Sequence, residues 1–206
     1  MLSSPTPTTG IFGGSFDPIH LGHLILARDV LEQLSLQRML FVPASRSPLS
    51  ECSPIASGKD RLDLLRASLV DDPAFAISDL EIQAGGINYT IDTAEALRAE
   101  YPDDHFVMII GGDQLEQLHK WKRARELTAS IDFVCLERKG FELKVHADLV
   151  AFRSHPIKPR IMEVSSTEIR QRIHRNLSVR HLVPEPAMQI IRERGLYGAR
   201  SRDSNV

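Results

Sequence analysis

Hydrophobic and polar positions form two kinds of pattern along the chain: short apolar runs, which predict strands, and apolar residues three or four apart, which predict helices. Short apolar runs predict six strands, at residues 11–12, 39–42, 75–82, 106–110, 131–136 and 161–164. Apolar residues three or four apart predict helices at residues 24–34, 62–69, 91–101, from 111 through about 128, 166–175 and 184–195. Residues 137–159 have mixed polarity and give no clear pattern.

The alternation of strands with helices predicts an α/β fold. Such chains form a mainly parallel sheet with helices on both faces, here in a Rossmann-like, doubly wound arrangement. Their ligands bind outside the carboxyl ends of the strands, where the strand order reverses. Two glycine turns, at residues 13–14 and 111–112, follow predicted strands and therefore fall at this edge.

Composition and charge narrow the class of protein. The 206 residues suit a single domain over 1–206, with flexible ends expected at about 1–9 and 199–206. A formal charge of −2 argues against nucleic acid as a partner, and no apolar run predicts a membrane span. With only Cys52 and Cys135, and no secretory signal, the cytoplasm is the simplest location. The oligomeric state is open, and a homo-oligomer is one option.

The strongest chemical signal follows the first predicted strand. It reads Gly13-Gly14-Ser15-Phe16-Asp17-Pro18-Ile19-His20-Leu21-Gly22-His23. The glycines let the backbone approach a ligand closely, and Asp17 and Pro18 suit the cap and first residue of a helix. His20 and His23 then share the first helical turn, where free amides and the helix dipole favour an anion. This combination suits phosphoryl transfer, which depends on positioning and electrostatic stabilisation.

Plainer interpretations exist for each part of this segment. Two adjacent glycines alone indicate a turn, and the two histidines could lie on the surface or bind a metal. A zinc site would want a third ligand at a supporting spacing, and none stands out nearby. The complete eleven-residue string favours the phosphate site.

A second polar segment follows the last predicted strand. It reads Ser165-Ser166-Thr167-Glu168-Ile169-Arg170. Ser165 and Glu168 have the spacing of a capping box, so helix capping explains part of the pattern. The hydroxyls, the free amides and Arg170 one turn later would also suit phosphate oxygens, and the two roles are compatible.

Together the two segments resemble the signatures of a nucleotidyltransferase family. The first resembles the His-x-Gly-His element shared with class I aminoacyl-tRNA synthetases, and its fuller form is most similar to bacterial nicotinate-nucleotide adenylyltransferases. The second resembles that family's Ser-Ser-Thr-x-x-Arg segment, which grips the β- and γ-phosphates of ATP. The resemblance implies catalytic roles for His20, His23 and Arg170. It implies an ATP-binding surface made of Gly13, Gly14, Ser15, Phe16, Gly22, Gly111, Asp113, Ser165, Ser166 and Thr167.

Two further segments resemble the acceptor pocket of the same family. Residues 88–93 are similar to its Ser-Tyr-Thr-Ile-Asp-Thr segment, with Asn88 in place of serine. Tyr89 and Thr90 would line the pyridine-nucleotide pocket, although Thr90 or Asp92 also suits a helix cap. Trp121, which could equally be a core residue, would stack on the nicotinate ring.

The implied reaction is direct attack of nicotinate mononucleotide on the α-phosphorus of ATP, giving deamido-NAD and pyrophosphate. Mg²⁺ is expected to arrive with the triphosphate, and no protein metal site is predicted. Asp113 would accept hydrogen bonds from the adenosine ribose, or cap a helix, or do both.

Three alternative functions remain open. Phosphopantetheine adenylyltransferases have a related first motif, but usually threonine where His20 stands and a shorter chain. The second alternative is nicotinamide mononucleotide as the acceptor, because it differs from nicotinate mononucleotide only in an amide in place of the carboxylate. The third alternative, a silent nucleotide-binding regulator, arises because residues 45–50 lack the family's Pro-Pro-His-Lys segment, where Arg46 could substitute for lysine.

Overall fold

Five parallel strands form one sheet, in the order β3-β2-β1-β4-β5. The computed structural model describes residues 8–46, 53–136, 145–155, 157–160 and 162–199. The strands are β1 Thr9–Gly14, β2 Arg38–Pro43, β3 Phe75–Ile77, β4 Phe106–Gly111 and β5 Asp132–Leu136. The described α-helices are α1 Leu21–Gln33, α2 Gly58–Leu69, α3 Leu80–Ala84, α4 Thr90–Glu100, α5 Gly112–Gln117, α6 Ala124–Ser130, α7 Ser166–His174 and α8 Glu185–Glu193.

Helices cover both faces of the sheet, as the alternation of elements predicts. Successive residues of a strand point to opposite faces, so Ile11 and Phe12 in β1 enter different cores. Ile11 packs in the core formed with α4, α5 and α6, whereas Phe12 packs in the core formed with α1, α2, α7 and α8. The predicted doubly wound, parallel α/β architecture is confirmed.

The described residues contain no strand at the sixth predicted position. Residue 161 lies outside the described residues, and residues 162–164 are irregular, because the amide of Val164 donates to the carbonyl of Met162 at 2.9 Å and bends the chain. The free edge of β5 is instead bridged by residues 153–155: the amide of Phe133 donates to the carbonyl of Arg153, and the amide of His155 donates to the carbonyl of Phe133. Part of the unassigned stretch 137–159 therefore protects the sheet edge.

Two other elements are shorter than their patterns predict. The strand predicted at 75–82 ends at Ile77 and is followed by α3. The helix predicted from 111 through about 128 is split into α5, a 3₁₀ turn Leu118–Lys120, and α6. The 3₁₀ turn ends at Trp121, whose backbone is extended. Arg123 has a left-handed backbone at φ 52° and is the N-cap residue of α6, so regular helix is interrupted between the two.

The amino-terminal boundary also differs from the prediction. Thr9, expected within a flexible end, is the first residue of β1, is 1% exposed and donates to Asp104. The prediction also covers residues 8 and 199, which are described, and residues 1–7 and 200–206, which lie outside the described residues. Among the helices that are described, none has the length and apolar character needed to cross a membrane.

Candidate active site

A cavity of about 810 Å³ opens at the carboxyl ends of β1 and β4. The strand order reverses here, since β2 lies on one side of β1 and β4 on the other, and α/β folds bind ligands at this point. The predicted site residues on its described wall are Gly13, Gly14, Ser15, Tyr89, Thr90, Trp121, Ser166, Thr167 and Arg170. Other predicted site residues lie outside that described wall: Phe16, His20, Gly22, His23, Gly111, Asp113 and Ser165.

The loop between β1 and α1 differs in one respect from its prediction. Asp17 and Pro18 do not start the helix, because α1 begins at Leu21 with His20 in the N-cap position. The carboxylate of Asp17 is instead buried and accepts hydrogen bonds from the amides of Ile55 and Ala56, at 2.7 and 3.1 Å. Asp17 therefore ties the glycine-rich loop to the chain before α2.

The two histidines of the first motif lie against each other. Their ring centroids are 3.6 Å apart, and the backbone amide of His20 donates to Nδ1 of His23 at 3.2 Å. Because Nδ1 of His23 accepts this bond, a neutral His23 carries its proton on Nε2. Nδ1 of His20 is buried with no hydrogen-bond partner among the described residues. Gly22 leaves room for this packing, since a Cβ atom there would lie 3.1 Å from Nδ1 of His20 and the ring would have to shift.

Burial keeps both imidazoles neutral in the free protein. Desolvation lowers the pKa of His20 to about 4. The pKa of His23 is also well below its usual value, first through burial and then through the charge of His20. At neutral pH each ring therefore carries no charge and offers one N–H donor.

The second motif meets the first through main-chain carbonyls. Ser165 caps α7, because its Oγ accepts from the amide of Glu168 at 3.1 Å, as the capping-box spacing predicts. Ser166 donates to the carbonyl of Pro18 at 2.9 Å, and Nη1 of Arg170 donates to the carbonyl of Asp17 at 2.7 Å. Two segments about 150 residues apart thus form one polar surface.

The residues predicted to bind the acceptor, Tyr89, Thr90 and Trp121, lie on the wall of the same cavity. Tyr89 occupies the N-cap position of α4 and is 36% exposed, with Nζ of Lys122 4.6 Å from its ring centroid. Neither Thr90 nor Asp92 caps the helix: Thr90 is its first residue, and Asp92 pairs with Lys122. Nε1 of Trp121 is buried without a partner among the described residues.

The second glycine turn places Asp113 differently from its predicted cap position. Gly111 is the N-cap residue of α5, and Oε1 of Gln114 accepts from its amide at 2.8 Å. Asp113 is exposed in the first turn, and Gln114 rather than Asp113 lies on the described cavity wall. A Cβ atom at position 111 would lie 2.6 Å from Oδ1 of Asp113, so the exposed side chain of Asp113 would have to move aside.

Sequence reasoning missed a half-buried carboxyl group in the cavity. Glu81 of α3 accepts a hydrogen bond from Oγ1 of Thr93 at 2.8 Å, and both residues line the wall. Burial raises the pKa of Glu81, and the bond from Thr93 opposes this rise. No local signal points to Glu81, because it becomes a site residue only when α3 packs beside α4.

Comparison with known proteins agrees with this fold and site. The family model described as cytidylyltransferase-like matches residues 11–172, so fold and motifs define a nucleotidyltransferase of that class. A probable nicotinate-nucleotide adenylyltransferase of Opitutus terrae is 46% identical over 91% of this chain and 96% of its own length. Its counterpart in Shouchella clausii is 39% identical over 92% and 96%. The chain belongs to the cytidylyltransferase-like family and, within it, to the nicotinate-nucleotide adenylyltransferases.

Solved structures support the fold over nearly the full length. The nicotinic acid mononucleotide adenylyltransferase of Plasmodium falciparum, complexed with NaAD, has a TM-score of 0.73 and 18% identity, with 94% of this chain and 98% of that chain covered. The same protein complexed with APC has the same TM-score at 19% identity. The likeness at this identity concerns the fold.

Proposed function

We propose that the protein transfers AMP from ATP to nicotinate mononucleotide, giving deamido-NAD and pyrophosphate. The observation that carries this proposal is that the two phosphate motifs meet through the bonds of Ser166 and Arg170 to the first loop, and that residues of both motifs line the same cavity as Tyr89 and Trp121. A nucleotide and a flat, ring-bearing acceptor can then lie side by side. Family membership points to the same activity.

The reaction is a direct displacement at the α-phosphorus. An oxygen of the acceptor phosphate forms the new bond to phosphorus, the bond to the bridging β-oxygen breaks, and its electron pair leaves with pyrophosphate. The acceptor phosphate is already ionised, so no general base is required. The protein's task is to align the two phosphates and to stabilise negative charge as it moves to the leaving group.

The polar groups of the two motifs have separate parts in this task. His20 and His23 would donate N–H hydrogen bonds to phosphate oxygens near the reacting centre. Arg170 and the amides at the start of α7 would hold the leaving pyrophosphate, with Arg170 oriented by its bond to the Asp17 carbonyl. Tyr89, Thr90 and Trp121 would hold the pyridine end of the acceptor, and Gly111 and Asp113 the adenosine end of ATP.

Mg²⁺ would enter this site as a companion of the triphosphate. The carboxylate of Asp17, beside the phosphate end, is occupied by the amides of Ile55 and Ala56 and by the hydroxyl of Tyr197. This donor set fits an ion held chiefly by phosphate oxygens and water, as is usual for Mg²⁺. The ion would supply positive charge to the phosphates, and we further propose that the protein acts as one domain in the cytoplasm.

Product analysis tests this function directly. ATP and Mg²⁺ are incubated with nicotinate mononucleotide, nicotinamide mononucleotide or phosphopantetheine, and dinucleotide and pyrophosphate are quantified by chromatography. We expect deamido-NAD to form fastest. Equal or faster product formation with either other acceptor would contradict the assigned substrate, and no product with any of them would favour the nucleotide-binding regulator.

Substitution of the histidines separates an enzyme from a regulator. In His20→Asn and His23→Asn we expect kcat to fall about 100-fold or more, while the Kd for a non-hydrolysable ATP analogue changes much less. His105→Asn is the matched control, because His105 is exposed before β4, at the opposite edge of the sheet. Equal losses of rate and affinity would contradict the catalytic role.

A further inference from the structure

Arg61 is a buried arginine on the inward face of α2. Its side chain is among the largest that are fully buried, at 2% exposure, and Leu62, Leu64 and Leu65 around it are also buried. Arginine is almost never buried to this extent unless it is paired. Its Nε has no hydrogen-bond partner among the described residues, so packing alone does not account for the side chain.

The guanidinium group of Arg61 reaches the glycine-rich loop. Nη1 donates to the carbonyl oxygen of Ser15 at 2.7 Å, and Ser15 itself lines the cavity. Burial lowers the pKa of Arg61, whereas Asp17 and Tyr197 lie close enough to favour its charged form. A positive charge therefore sits directly behind the loop that is proposed to bind the phosphates.

The residue after Ser15 adopts an unfavourable backbone conformation. Phe16 has φ 46°, a left-handed value that is rare for bulky residues and persists only where neighbouring contacts enforce it. The Ser15 carbonyl and the Phe16 amide belong to one planar peptide unit and point in opposite directions. The bond from Arg61 therefore fixes the direction of the Phe16 amide as well.

Phe16 connects this peptide unit to the catalytic histidines. Its ring is 1% exposed and lies edge-on to His23, with 5.1 Å between ring centroids. A shift of the Ser15–Phe16 unit would therefore move both the loop amides and the aromatic wall of His23. Within the described part of the chain, Arg61 makes no hydrogen bond to Tyr89 or Trp121.

We propose that Arg61 is a positioning residue for the triphosphate. Through the Ser15 carbonyl it holds the left-handed turn at Phe16, keeps the loop between β1 and α1 against the cavity, and adds a buried positive charge behind it. The inference deepens the proposed function and rests on it, because the ligand positioned is ATP.

The test compares Arg61→Met and Arg61→Lys with Arg66→Met. Arg66 lies on the same helix but is exposed and paired with Asp63. For each folded variant, steady-state kinetics gives kcat and the two KM values, and calorimetry gives the Kd for a non-hydrolysable ATP analogue. We expect Arg61→Met to weaken analogue binding and lower kcat by about tenfold or more, with KM for nicotinate mononucleotide within about twofold of the wild type.

The conservative variant sharpens the test. Lysine keeps the positive charge and a donating ammonium group, but its side chain is shorter and lacks the planar fork of arginine. Arg61→Lys should therefore recover part of the loss. Arg66→Met should match the wild type. Equal losses for ATP and for the acceptor, wild-type behaviour of Arg61→Met, or failure of both Arg61 variants to fold would each overturn the inference. If the wild type forms no product with nicotinate mononucleotide, the proposed function fails, while the analogue Kd still tests Arg61.

Discussion

His20 and His23 show how burial sets the chemistry of individual residues. Spacing along the sequence places them on one helical turn, but only packing makes them neutral, through the desolvation that lowers both pKa values. A neutral imidazole beside a phosphate can gain a proton when the ligand arrives, because a nearby negative charge favours the charged form. We therefore expect His20 to affect proton uptake on ligand binding as well as the reaction rate.

Binding of a Mg²⁺-saturated, non-hydrolysable ATP analogue should take up protons near pH 6. The free protein has the pKa of His20 at about 4, so the ring is neutral there, and a rise on binding means that the complex holds more protons. Affinity should accordingly increase as the pH falls towards 6. Calorimetry in buffers of different ionisation enthalpy measures the uptake, and an unchanged uptake in His20→Asn would contradict this assignment.

Gly22→Ala should impair activity without lowering stability. The new Cβ atom would lie 3.1 Å from Nδ1 of His20, so the ring must shift by a few tenths of an ångström, and we expect kcat to fall about tenfold. Alanine is also the better helix former at this position in α1. Kinetics and thermal unfolding are measured together, and a loss of Tm in parallel with kcat would indicate general disruption instead.

The starts of two helices form the phosphate end of the site at the scale of elements. α1 presents His20 at its N-cap, and α7 presents Ser165, so the positive ends of both helix dipoles lie in this region. The bond from Ser166 to the carbonyl of Pro18 fixes one helix start against the other. Local sequence establishes the Ser165 cap, whereas packing between distant segments brings the two helix starts together.

Ser165→Ala should lower the free energy of unfolding by about 1 kcal/mol, because the amide of Glu168 loses its capping acceptor. Ser165→Thr is the matched control, since threonine keeps a capping hydroxyl. Urea unfolding followed by circular dichroism measures both. Equal stability of the alanine variant and the wild type would show that water replaces the cap at no cost.

Contacts distant in sequence stabilise the whole molecule around the site. The hydroxyl of Tyr197 donates to Oδ1 of Asp17 at 2.8 Å, joining residues 180 positions apart. Burial and the charge of Asp17 raise the pKa of Tyr197, so the hydroxyl remains a donor. The carboxyl-terminal 3₁₀ turn Leu196–Gly198 thereby supports the loop between β1 and α1.

Tyr197→Phe should lower the free energy of unfolding by about 1.5 kcal/mol, the lower end of the usual range for a hydrogen bond to a charged group. Tyr101→Phe is the control, because the Tyr101 hydroxyl interacts with the neighbouring Glu100 rather than across the fold. Chemical denaturation of both variants gives the difference. Equal losses in the two variants would contradict the role of the long-range bond.

Sequence alone determined the features that depend on neighbouring residues. The alternation of periods predicted the parallel α/β sheet, and the spacing of Ser165 and Glu168 predicted a helix cap. The eleven-residue string indicated a phosphate site because glycines, helix start and histidines act within one turn. Hydrophobic period and capping chemistry operate over a few residues, so they can be read without the fold.

Only the tertiary structure decided the features that depend on packing between distant segments. Asp17 suited a helix cap, yet the fold makes it the acceptor for Ile55, Ala56 and Tyr197. The apolar run at 161–164 suited a strand, yet residues 153–155 bridge the sheet edge. The burial of Arg61 behind Ser15, and the low pKa of His20, likewise follow from desolvation and contacts across the fold, which no local pattern encodes.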